Sequence, residues 1–259
     1  MEAYTKVTLI ELIGYREWTE SLGDDREWAI QSVQASIYRA AQEEAKDHGG
    51  FIIPLRFDYM ILLSSGLDEY SQRAVVRSVE ERSPVPVRAA SGCAPTPIDA
   101  LRVAEEKLKK LPPSSVETSG CGASEVTAVA HIDVDDITGA THRDGVYEAF
   151  LEVLRLHKAL AEVAAASGAV VQYLGGDNIL VVLPPSDPLR ETESLVASVE
   201  HVLPRGMTLK AGVGVASRAR NALSLAARAL HAIRSGAAER RILLIEEPLS
   251  AGGLGAGPA

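Results

Sequence analysis

The sequence predicts an α+β protein made of two tandem ferredoxin-like halves. Three observations carry this. The chain repeats itself, each copy has the same order of elements, and its 259 residues suit two domains of ordinary size. The repeat shows in three blocks. VTLIEL recurs as VTAVAHIDVD, GGFIIPLRFDYMILLSSG as SGAVVQYLGGDNILVVLPP, and VRAASGCA as LKAGVGVA. Gly49 and Asp58 map onto Gly168 and Asp177, a spacing of 119. Arg88, Gly92 and Leu101 map onto Lys210, Gly214 and Leu223, a spacing of 122, so the second half carries a longer loop within 184–206.

Each copy opens on an apolar, β-branched run, at 7–13 and at 126–134. A long helix follows. In the second half Val146, Phe150, Val153, Leu160 and Ala164 recur at helical spacing, with Glu148, Glu152, Arg155 and Lys158 on the polar side. Two short apolar runs about a tight polar turn then read as a hairpin, at 51–55 with 60–63 and at 169–174 with 179–183. A helix, a strand and a third helix (97–111 and 220–234) complete each copy, and a last strand at 241–245 closes the second. The boundaries follow: a first domain at 1–111, a linker at 112–124 rich in Pro, Ser and Gly, a second domain at 125–247, and a tail at 248–259.

Composition narrows the function. The net charge is −9, which argues against a broad nucleic-acid surface. It leaves room for one anionic nucleotide whose charge a metal ion offsets. No apolar run reaches the ~18 residues of a membrane span. The N-terminus carries acids where a signal peptide is apolar, so the expected location is cytoplasmic. Two cysteines, Cys93 and Cys121, make no disulfide framework and read as inert.

The sharpest cluster lies in the second half. One strand ends in His131-Ile132-Asp133-Val134-Asp135-Asp136, and Gly175-Gly176-Asp177-Asn178 fills the hairpin turn. Neighbouring strands bring Asp133 towards Asp177. Two carboxylates suit Mg²⁺, which takes few protein oxygens and completes its shell with water and phosphates. Glycines let backbone approach a phosphate. GGDN is also what a plain hairpin turn needs, and acids after a strand also cap helices. Lys210 either reaches a phosphate or simply ends its strand. Thr138 either binds a phosphate or caps a helix. His142 and Arg143 lie in a polar loop near the site. His131 reads as a packed core histidine, and Arg56 with Asp58 as an ordinary surface ion pair.

On AHIDVDDITG (130–139), YLGGDN (173–178) and LKAGVG (209–214), with REWT (16–19), Gln34, Tyr38, GG (49–50) and RFD (56–58), the chain resembles the archaeal GTP cyclohydrolase III family. The resemblance spans nearly everything but the linker and tail. It implies two palm-like domains related to nucleotidyl cyclase and GGDEF domains. It implies opening of the guanine imidazole ring of GTP at C8 with the formyl group retained. The triphosphate is cut to a monophosphate with release of phosphate. The product, a formylamino-pyrimidine ribonucleotide phosphate, feeds riboflavin and deazaflavin synthesis.

Carried over, Asp133 and Asp177 hold two Mg²⁺ ions and serve catalysis, with the Val134 carbonyl a further ligand. Gly175, Gly176 and Asn178 shape the triphosphate pocket, and Asp136, Thr138 and Lys210 contact substrate. A monovalent cation such as K⁺ assists. In the first half the position matching Asp133 reads Ile13, or Glu11 in a shifted register, leaving Asp58 without an obvious partner. The second half is therefore expected to hold the main metal site. The implied partners are GTP and further copies of the chain in a homo-oligomer, with neither nucleic acid nor membrane. The rival readings are a nucleotidyl or diguanylate cyclase, weakened by Asn178 where GGDEF enzymes place an acid, and a GTP sensor without turnover.

Overall fold

A computed structural model describes residues 3–122, 124–204 and 206–248. The first half runs β1 (Ala3–Leu12), α1 (Tyr15–Ser21), α2 (Arg26–His48), β2 (Phe51–Arg56), β3 (Tyr59–Leu63), α3 (Glu69–Glu80), β4 (Val87–Ala94) and α4 (Pro97–Leu108). The linker segment contributes β5 (Val116–Glu117) and β6 (Ser124–Glu125). The second half runs β7 (Thr127–Val134), α5 (Ile137–Asp144), α6 (Val146–Ser167), β8 (Val170–Gly175), β9 (Asn178–Leu183), α7 (Pro188–Val199), β10 (Leu209–Ala216), α8 (Ala219–Arg234) and β11 (Ile242–Glu246).

The two sheets have matching orders, β2-β3-β1-β4 and β8-β9-β7-β10. Each first strand sits centrally, antiparallel to the strand on either side. That is the β-α-β-β-α-β order the repeat predicts. Local chemistry sets the helix ends. Asp68, Thr96 and Asp187 cap α3, α4 and α7 by accepting from Ser71 N, Asp99 N and Arg190 N. The long helices α2 and α6 stop at Gly49 and Gly168, whose φ angles of 90° and 84° lie in the left-handed region.

Three apolar clusters form the core. One lies in each half, under α2 and α3 or under α6 and α7. The third joins the halves: Val7, Leu9 and Ala104 pack with Val129, Leu180, Ala222 and Ala226. Two equivalent hydrogen bonds cross this junction, Ile98 N to Gly168 O at 2.9 Å and Arg220 N to Gly49 O at 3.0 Å. The duplicated sequence thus folds into a pseudo-twofold pair in which the first turn of the last helix of each half, α4 or α8, docks on the glycine ending the long helix of the other.

Close helix approach explains the repeated glycines. A Cβ at Gly92 would lie 2.0 Å from Ala100 O, and one at Gly214 would lie 1.9 Å from Ala222 O. Both opposing atoms are backbone, which cannot turn aside. Gly214→Ala must push α8 off β10 and is expected to cost about 1–3 kcal/mol, the range for overpacking a close-packed core. Urea denaturation checks it, and an unchanged midpoint would contradict the packing described.

The structure differs from the sequence reading in several places. Cys93 and Cys121 are joined in a disulfide with a Cα–Cα distance of 5.5 Å. Two cysteines make no framework in the sequence, and their 28-residue separation carries no pairing signal of its own. That segment instead returns along the first half, where β5 pairs with β4 and β6 with β1. Lys6, deeply buried, pairs with Glu125 at 2.8 Å and fixes the linker's end. His142 and Arg143 lie in α5, not in a loop. The insertion in the second half falls between α7 and β10, where a short 3-10 turn (Glu200–Val202) is added. Most of the tail, 249–259, lies outside the described residues. Among the described residues no helix is long and apolar enough to cross a membrane.

Candidate active site

Strand register assembles the site. Asp133 pairs across β7–β9 with Asn178 and across β7–β10 with Lys210. One residue before Asn178, Asp177 occupies the β8–β9 turn. That turn requires left-handed backbone, and Gly175 and Gly176 supply it with φ angles of 109° and 63°. A Cβ added at Gly175 would meet nothing within 4 Å, so the turn stands open on one side.

Asp133 is only 3% exposed. Arg234, in the last turn of α8, holds both its carboxylate oxygens: Nε donates to Oδ2 at 3.1 Å and Nη2 donates to Oδ1. Burial pushes the Asp133 carboxyl above the ordinary carboxylate pKa. Arg234 pulls it down, and the charge of nearby Asp177 pushes it up again. Asp177 itself is half-buried and accepts from Asn178 Nδ2 at 2.9 Å, with no ion pair to it among the described residues. Asn178 Oδ1 meets His131 Nε2 at 2.8 Å. His131 is therefore not simply a core histidine. It is partly exposed and fixes the amide that in turn orients Asp177.

The remaining residues divide around this pair. Lys210 Nζ donates to Asp135 Oδ1 at 2.7 Å, and Thr208 Oγ1 to Asp135 Oδ2 at 3.2 Å. Asp136 adopts a φ of 62° and takes a 2.9 Å hydrogen bond from Arg143. A Cβ at position 139 would lie 2.1 Å from the Asp136 carboxylate, so a side chain there would displace that carboxylate from its present place. Val134 buries its side chain in the core, leaving only its backbone to the site. Thr138 lines a pocket of about 290 Å³ together with Asp177, Gly176, Thr141, Tyr173 and the apolar Ala149 and Phe150. Here the helical stripe departs from expectation. Val153, Leu160 and Ala164 are buried, but Val146 and Phe150 are 76% and 41% exposed and stand at the pocket wall.

The register also decides between Ile13 and Glu11. Glu11 pairs with Tyr59 and Arg88, the counterparts of Asn178 and Lys210, so Glu11 is the structural equivalent of Asp133. The hairpin spacing does not carry back to β1, because the connection from β1 to the long helix is longer in the first half. The first half's carboxylates are internally matched. Glu11 accepts from Tyr59 Oη and Arg88 Nε, each at 2.6 Å, and Asp58 pairs with Arg56 at 2.8 Å. Sequence reasoning missed Arg234 and left Glu11 open as the alternative to Ile13. An arginine in the last turn of the helix preceding the closing strand was the available signal for the first.

Among the described residues no group of three or more His, Cys, Asp or Glu is gathered as a metal cage. A carboxylate pair without a cage still fits Mg²⁺, which is commonly held by one or two carboxylates plus substrate phosphates. A buried carboxylate whose proton affinity is raised further by the charge of its neighbour calls for a cation, and Arg234 answers that need for Asp133 alone.

Fold and site together define a tandem ferredoxin-like α+β protein with a carboxylate pair, one buried and one partly exposed, in its second half. The family model for GTP cyclohydrolase III matches residues 7–247. A relative from Aeropyrum pernix, named GTP cyclohydrolase III, is 44% identical over 89% of this chain and 92% of its own. One of the same name from Pyrobaculum arsenaticum is 34% identical over 89% and 95%. Among solved structures, the GGDEF domain of DgcB from Caulobacter crescentus is 18% identical, covers 46% of this chain and 77% of its own, and gives a TM-score of 0.40. The chain belongs to the GTP cyclohydrolase III family.

Proposed function

We infer that the chain is a GTP cyclohydrolase that opens the guanine imidazole ring by hydrolysis at C8, keeps the formyl group and releases phosphate. The family match across 7–247 carries this reading. Retaining the formyl group on the former N7 means that the C8–N9 bond breaks and water supplies the new carbonyl oxygen. The product suits riboflavin-type synthesis in the cytoplasm.

Asp133 and Asp177, with the Val134 carbonyl, hold Mg²⁺. Two such ions and a monovalent cation such as K⁺ complete the site. When bound, Mg²⁺ neutralises charge on the phosphoryl oxygens and activates water. The chain's own groups position the substrate. Gly175 and Gly176 offer backbone without side-chain obstruction to the triphosphate. Asn178, held by His131, fixes the Asp177 carboxylate. The pocket beside Asp177 offers an apolar wall at Ala149 and Phe150 and hydroxyls at Thr138 and Thr141, which suits a purine base. Asp136 and Lys210 are the further substrate contacts that the family resemblance implies. They are tied to Arg143 and Asp135, which keeps their charges local until substrate arrives. The exposed Val146, Tyr147, Phe150, Leu154 and Leu174 support assembly into a homo-oligomer, which sedimentation velocity tests.

Incubation with GTP and Mg²⁺, followed by ultraviolet absorbance and product mass, tests the activity. A ring-opened monophosphate with free phosphate is the expected product. Cyclic GMP or a dinucleotide overturns it in favour of a cyclase, and unchanged GTP in favour of a sensor. Chelation with EDTA is expected to reduce turnover to background, and added Mg²⁺ to restore it. Persistent turnover in EDTA would remove the metal assignment.

A further inference from the structure

We propose that Arg234 is an exchangeable counter-ion: it holds the Asp133 carboxylate while the site is empty, yields it to the divalent cation, and then binds the triphosphate. This rests on the metal reading given under Proposed function. Three observations support it. Arg234 engages both oxygens of Asp133, the same atoms a metal ion needs. Asp133 is buried while the Arg234 side chain is 48% exposed, so the guanidinium can leave without breaking core packing. Asp177, the other member of the pair, has no lysine or arginine on it among the described residues, so a cation enters from its side first.

A planar guanidinium binds carboxylate and phosphate by the same two-pronged geometry, so one group can serve both in turn. The exchange also conserves charge in the buried part of the site. An empty site with Asp133 unpaired leaves a buried carboxylate uncompensated, which is costly. A loaded site with Arg234 still on Asp133 excludes the metal from that carboxylate. Moving the guanidinium onto the incoming triphosphate resolves both. Fixed by its place in the last turn of α8, Arg234 remains within reach of Asp133 throughout.

The experiment is Mn²⁺ titration of the nucleotide-free protein, followed by electron paramagnetic resonance of free Mn²⁺, beside steady-state kinetics with GTP. Hydrogen bonds to a charged group contribute about 1.5–3 kcal/mol, so removing the competing guanidinium in Arg234→Gln is expected to tighten Mn²⁺ roughly tenfold or more. The same variant is expected to raise KM for GTP roughly tenfold or more while it weakens binding of inorganic tripolyphosphate. Arg234→Lys keeps the charge but loses the fork, and should give intermediate shifts in both. Unchanged Mn²⁺ affinity in Arg234→Gln overturns the exchange and leaves the ion pair purely structural. Tighter Mn²⁺ binding with an unchanged KM overturns the phosphate step. Should the wild-type protein convert GTP undiminished in EDTA, the metal reading itself fails, a result distinct from either of these.

Discussion

Asp177→Asn is expected to lower turnover of GTP by at least ~10²-fold while the protein stays folded, the scale seen when one preorganised electrostatic partner of a reacting group is removed. The substitution is nearly isosteric, the turn's left-handed angles belong to Gly175 and Gly176, and no ion pair among the described residues depends on the Asp177 charge. What it removes is half of the negative charge that draws a cation to the open side of the site. Asp133→Asn is expected to act with similar size. There the buried side chain loses its charge opposite Arg234, whose half-exposed guanidinium can turn to water, so the folded state survives. Steady-state turnover with circular dichroism checks both. Near-wild-type turnover in either variant would sink the assignment of that carboxylate.

Loss of the Cys93–Cys121 bond is expected to have the largest effect on stability. The bond closes a loop across a sequence separation of 28. Chain entropy for a loop of that size gives about 3.5 kcal/mol. At about 2–4 °C per kcal/mol for a chain of this size, the double variant Cys93→Ser/Cys121→Ser is expected to melt roughly 7–14 °C lower. Its disruption should be felt where the linker lies along the first half. There Ser119 N donates to Ser91 Oγ at 2.7 Å, Lys107 Nζ to Ser91 O at 2.9 Å, and Lys6 meets Glu125. Thiol titration of the native protein should find no free thiol, and a dithiol reductant should reproduce the variant's melting temperature. Two free thiols before reduction would refute the bond. Disulfides are uncommon in reducing compartments, with intracellular proteins of hyperthermophiles as the general exception.

The repeat made much of the fold readable. Hydrophobic period and turn residues are local properties, so the β-α-β-β-α-β order, the hairpin turns and the pairing of the two copies can be taken from the chain directly. The carboxylates of the second half were readable for the same reason: Asp133 closes an apolar strand and Asp177 sits in a turn that only glycine-rich sequence permits. The shift between Ile13 and Glu11 was not. A side chain's place in a sheet depends on which residue it opposes, and a loop that differs in length between the copies breaks the transfer of spacing from one strand to another. Glu11 is assigned by its partners Tyr59 and Arg88.

Local pattern by itself determined that this is a duplicated α+β chain with an acidic pair at one end of the strands of its second half. Only the tertiary structure decided what those acids meet. Arg234 lies 101 positions beyond Asp133, and Lys6 pairs with Glu125 across the linker. Cys93 reaches Cys121 only because β5 lies against β4. These contacts join residues far apart in the chain, and their charges and thiols carry no periodicity that would announce a partner. Folding the sheets and docking α8 brings them together, and that geometry sets which carboxylate is ion-paired and which has no ion pair among the described residues.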